Sequence, residues 1–164
     1  MGTSEPAQTD VEDERDESPL ERLDRNTVEL LNELRVAGTG IQVLFAFLLV
    51  VPFNTGFSRL SSFDRYEYFV TLVCIAVAAV LLIAPSIHHR ILFRLGQKSY
   101  VVRVANRLAI IAGAFLSVGL TGIMVLIGDV VFGGVTAAVA GVVAALVVAG
   151  VWFVPPLARR RQLG

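Results

Sequence analysis

Two long uncharged runs dominate the chain, residues 108–127 and 130–154, and between them Asp129 is the one ionisable side chain. A helix rises about 1.5 Å per residue, and about 20 apolar residues cross roughly 30 Å of hydrocarbon, so each run predicts a membrane-spanning helix. Residues 68–87 form a third such run and residues 36–53 a shorter fourth. The pattern predicts an all-α integral membrane four-helix bundle with spans over about 36–53, 68–87, 108–127 and 131–154. Gly128-Asp129, followed by Gly133 and Gly134, is turn chemistry, so the last two spans are expected to be antiparallel neighbours. Read every four residues, Ala109, Gly113, Ser117 and Thr121 share one face of the third span, and Gly133, Ala137, Gly141, Ala145 and Ala149 line the fourth. Helices in a bilayer associate by close backbone approach, which small side chains permit, so these two seams are expected to face each other.

Ahead of the first span the periodicity changes. Ser18-Pro19-Leu20-Glu21 is a helix start, with a capping serine, a proline in the first turn and a glutamate completing a capping box. Leu20, Leu23, Thr27, Leu30, Leu31 and Leu34 then recur at helical spacing, predicting an amphipathic helix over residues 18–35. Its oily stripe needs a cover: the membrane surface, other cytoplasmic segments, or the same helix of a second chain. The helix is expected to pass, with a bend near Gly38 and Gly40, into the first span, which Pro52 and Asn54 end. Residues 54–67 suit a short aqueous loop with aromatic anchors Phe57, Phe63, Tyr66 and Tyr68. Pro85 should kink or end the second span, Gly96 divides the connector that follows, and Pro155-Pro156 stops the fourth span before a basic tail over residues 157–164.

Charge adds an orientation. The chain is formally neutral with 164 residues and 55% hydrophobic side chains, and its mean hydropathy of +0.70 is too high for an ordinary soluble domain. Residues 1–17 carry seven acids against Arg15 and little apolar surface, which predicts a disordered acidic tail, unlike a secretory signal and expected to be retained. Near the spans, Arg22, Arg25, Arg35, Arg90, Arg94, Lys98, Arg103, Arg107, Arg159, Arg160 and Arg161 fall on one side and only Arg59 and Arg65 on the other. That bias predicts a bacterial inner-membrane protein with both termini cytoplasmic.

Candidate chemistry is sparse. Cys74 lies in an apolar run and suits packing. His88 and His89 point about 100° apart on a helix and cannot chelate one metal as an i, i+4 pair does. No carboxylate cluster accompanies them, so neither an enzyme nor a cofactor or metal site is expected. Gln42 either bonds across to another helix for about 0.6 kcal/mol or more, or sits shallowly at the interface, the placement expected here. Arg90, Arg94, Lys98, Arg103 and Arg107 are candidate contacts for anionic phospholipid. Beyond the lipid bilayer, the partners expected are a second copy or another membrane protein, with no nucleic acid.

Glu33-Leu34-Arg35-Val36, Thr39-Gly40, Gln42, the run Leu44-Phe45-Ala46-Phe47-Leu48-Leu49 and Pro52-Phe53 resemble a family of small, functionally uncharacterised four-span proteins found mainly in actinobacteria. Ile83-Ala84-Pro85, His88-His89-Arg90, Phe93-Arg94 and Ala105-Asn106-Arg107-Leu108-Ala109 extend the resemblance to roughly residues 20–161. It implies the four-span fold and no established activity, although some members carry a sodium/proton antiporter label. A proton-coupled antiporter needs an ionisable group at membrane depth, and none of the predicted spans holds a carboxylate. The reading is therefore a structural or interaction component of the membrane; the alternatives are a small transporter or transporter subunit of the cation/proton type, and an anionic-lipid-binding protein.

Overall fold

The computed structural model describes residues 18–92 and 98–162; the acidic tail, Arg94 and Gly96 lie outside them, as do the side chains of Leu20, Leu23 and Lys98. Five helices and no strand occur among the described residues: α1 (Pro19–Val50), α2 (Ser62–Leu92), α3 (Lys98–Phe132), α4 (Gly134–Trp152) and α5 (Val154–Gln162). The first four are long and apolar enough to cross a membrane.

The start of α1 follows from its first four residues. The Ser18 N–H and hydroxyl donate to the Glu21 carboxylate at 2.9 and 2.6 Å, and the Glu21 N–H donates back to Ser18 Oγ at 3.4 Å. The helix then runs unbroken through Gly38 and Gly40, so the amphipathic segment and the first span are one element. Of its buried positions, Thr27, Leu34, Ile41 and Leu48 fall at every seventh residue, with Gly38 beside them. Such a line keeps one face on a neighbour when helices cross at a shallow angle.

The same period organises the centre. In α2 the buried residues are Asp64, Tyr68, Thr71, Ile75, Ala78, Leu82 and Pro85, alternating steps of three and four, with Cys74 beside them. In α3, Ala105, Ala112, Gly119 and Leu126 are buried and again seven apart, with Val101 and Gly128 buried beside that line. α2 and α3 form the central antiparallel pair; α1 lies against both, and α4 packs on α3. Close approach decides the α2–α3 contact: a Cβ on Gly119 would strike Ile75, and one on Gly122 would strike Thr71. The Tyr68 hydroxyl donates to the Leu48 carbonyl at 2.8 Å, and its ring meets Phe57 edge-on at 5.2 Å between centroids. Tyr68 is thus a core residue that ties α1 to α2, while Phe63 and Tyr66 remain exposed.

Several boundaries differ from those the sequence predicts. Pro85 does not end α2, which continues to Leu92, because its ring is buried in the seam and the packing on either side outweighs one lost backbone bond. Gly128 and Asp129 lie inside α3 rather than in a turn. The turn is Gly133 alone, at φ 95°, where its N–H caps the Asp129 carbonyl at 3.0 Å and its own carbonyl accepts from Ala137 at 3.1 Å. Pro155 and Pro156 open α5 in its first turn, where a missing N–H costs nothing. The segment read as an aqueous loop over residues 54–67 is shorter, since α2 already begins at Ser62.

Candidate functional site

The early start of α2 changes the chemistry at that end of the molecule. Ser61 and Asp64 make a reciprocal cap: Asp64 Oδ2 accepts from the Ser61 N–H at 3.0 Å, and the Asp64 N–H donates to Ser61 Oγ at 3.1 Å. Asp64 is buried, and its Oδ1 meets no donor among the described residues. Across the α2–α3 contact the carboxyl group of Asp129 lies within its electrostatic range. Glu67, one turn along α2, lies in the electrostatic range of both, and its Oε2 is buried without a donor. Arg65 does not neutralise the cluster: its guanidinium donates to the carbonyls of Ser58 and Leu60 at 3.0 to 3.2 Å.

From Glu67 a laterally open cavity of about 670 Å³ runs between α2, α3 and α4, past Thr71, Thr121 and Ser117 to Ala145 and Ala149. It exists because α4 touches α3 closely only near the turn. A Cβ on Gly128 would lie 2.8 Å from the Ala137 Cα, and one on Gly141 would strike Val125. Farther from the turn the small side chains leave space. The predicted seams therefore meet only in part: Ala137 and Gly141 are buried, but against Val125 and Gly128. Gly113 has open space where a Cβ would go, Ala109 packs on the α2–α3 core, and Ser117, Thr121, Ala145 and Ala149 line the cavity. The Ser117 hydroxyl is satisfied by the Gly113 carbonyl at 2.7 Å. A second apolar groove of about 550 Å³ flanks α4 on the α1 side, walled by Leu44, Met124 and Val143 among others.

At the opposite end, Arg90, Arg103 and Arg107 are exposed, and Arg103 shares a cleft between α1 and α3 with Glu29 and Glu33. Of the α1 stripe, Thr27 and Leu34 are buried. His88 and His89 are half-buried near the end of α2, and Cys74 is a buried free thiol. No group of three or more metal-ligating side chains occurs among the described residues. Gln42 is exposed on α1, with no hydrogen-bond partner among the described residues. The acidic cluster is the feature that sequence reasoning missed; counting back from Pro85 by threes and fours reaches Tyr68 and Asp64 and would have placed Asp64 on the buried face.

These features define an all-α protein with four helices fit to cross a membrane, carrying three carboxylates at the end that holds Arg59 and Arg65 and a larger group of arginines at the other. The chain belongs to a family of unknown function (DUF6328), which matches it over residues 16–156. No curated protein and no solved structure matches the chain.

Proposed function

We propose that the protein is a structural or interaction component of a bacterial inner membrane that engages another transmembrane helix through the outward face of α1. Gln42 carries this reading. It lies about 10 Å along the helix from Arg35, inside the apolar stretch, and faces outward without a partner among the described residues. Thr39 and Ala46, both exposed, flank it on the same face, so a second helix can approach closely there and bond to the amide. The arginines gathered at the end that holds Arg22, Arg90 and Arg159 favour a cytoplasmic location for that end, where exposed Arg90 and Arg107 meet anionic headgroups. The antiporter alternative asks for a carboxylate opened alternately to both sides, and the gathering of Asp64, Glu67 and Asp129 at one end favours the interaction reading instead.

The test is sedimentation velocity and mass analysis of the protein purified in maltoside, beside Gln42→Leu. Wild type should sediment as a complex, with a second copy or another membrane protein, and the variant should lose that species while keeping its helicity. A wild-type monomer with nothing attached, indistinguishable from the variant, defeats the proposal.

A further inference from the structure

We propose that the cavity between α2, α3 and α4 is a binding site for an amphiphilic organic cation, with Glu67 as its counter-ion and the groove below holding its apolar body. The claim is one of binding, and it is independent of the α1 face.

Three observations carry it. First, the cavity has the size and character of a small-molecule site. Such sites hold about 300–1,000 Å³ and pair a mostly apolar wall with a few polar groups. Here about 670 Å³ is lined by Val70, Val118, Val125 and Val148, by the methyls of Ala145 and Ala149, and by Glu67 with Thr71, Ser117 and Thr121. Second, Glu67 sets the sign of the ligand. It is the acidic side chain that lines the cavity, and its Oε2 has no protein donor among the described residues. Asp64, nine-tenths buried, and Asp129 lie within its electrostatic range, and the Arg65 guanidinium donates to backbone carbonyls. The mouth of the groove therefore attracts positive charge. Third, the rim supplies ring faces. Phe63 and Tyr66 line the cavity beside Glu67 and are largely exposed, as an organic cation requires of aromatic partners.

The ligand so defined is apolar in body, cationic at one end, and enters sideways through the open flank. A neutral acyl chain fits the walls but leaves Glu67 unsatisfied. A partner helix would need a lysine or arginine at this depth.

The probe is radiolabelled tetraphenylphosphonium, measured by equilibrium dialysis against the full-length protein in maltoside micelles, with empty micelles as the blank. Saturable binding near one per chain is expected, weakened at least tenfold by Glu67→Gln and at least tenfold by Val118→Trp, which fills the groove without touching the charge. Val143→Trp, in the groove on the other side of α4, should leave the affinity unchanged, and so should Arg59→Gln. Triphenylphosphine oxide, similar in bulk and uncharged, should not compete at equal concentration. Size-exclusion profiles matching wild type qualify each variant; if Glu67→Gln fails to fold, Val118→Trp against Val143→Trp decides. Uptake no greater than by empty micelles, equal competition by the neutral compound, an unaffected Glu67→Gln, or equal loss in the two tryptophan variants each overturns the proposal. Equal competition would mark the groove as a seat for neutral lipid.

Discussion

Gly128→Ala is the sharpest probe of how α3 and α4 are held. The added methyl would sit 2.8 Å from the Ala137 Cα and 3.2 Å from its nitrogen, about 0.6 Å inside ordinary contact at the nearer atom. Both obstacles are backbone, so no side-chain rotation relieves the clash and the helices must separate. A radial gap of about 0.5–1 Å forfeits a quarter to a half of each dispersion contact along the interface, and inserting a methyl into packed space costs about 1–3 kcal/mol. Against that, alanine gains about 1 kcal/mol of helix propensity over glycine. Gly113→Ala cancels this gain from the comparison, because it lies in the same helix with open space at its Cβ. The difference between the two variants therefore isolates the steric cost: about 1–3 kcal/mol, or roughly 5- to 150-fold in the unfolding constant. Trp152, the single tryptophan, closes α4 and reports its detachment by fluorescence as SDS is titrated into maltoside micelles. Variants that unfold within about 0.5 kcal/mol of each other would refute the close-approach account.

Two further outcomes follow from local geometry. Tyr68→Phe removes the 2.8 Å bond to the Leu48 carbonyl, which keeps the Val51 N–H as a donor, so the loss should be modest, about 0.5–1.5 kcal/mol in the same titration; an unchanged midpoint would mean the hydroxyl contributes nothing. The Glu21 carboxyl is held below its ordinary 4.5 by the Ser18 hydroxyl first and the Ser18 N–H second. A depressed value means that this contact stabilises the start of α1 above the ordinary value and is lost as pH falls through the lowered one. Amide exchange in the first turn should thus be slow at about pH 6 after correction for intrinsic rate, and faster by about pH 3, with Glu21→Gln showing no such step.

Much of the fold was legible because the signals were local. Ser18 through Glu21 form the cap their order implies, Pro52 ends the first span, and the last two spans are the antiparallel pair expected. Misreadings arose where polarity and packing phase disagree. Asp64 looks like a loop residue by charge, yet it continues the three-four rhythm of Tyr68, Thr71 and Ile75 into the first turn of α2. Gly128 looks like turn chemistry beside Asp129, but its missing side chain serves the contact with Ala137. The line Ala105, Ala112 and Gly119 escaped notice because α3 is apolar on most sides, and a helix without polar contrast does not advertise its buried face. The four-residue spacing that did stand out marks the wall of a cavity over half its length.

Gly133 has a consequence for the length of the chain. A link of one residue leaves α4 no freedom to turn about its own axis: adding one residue there would rotate it by about 100°, carrying Ala137 and Gly141 away from Gly128 and Val125. The groove beside Glu67 would lose its third wall in the same motion. Chain length at this point is therefore as strictly constrained as the identity of a buried side chain, and an insertion here would abolish the cavity without changing the identity of any lining residue.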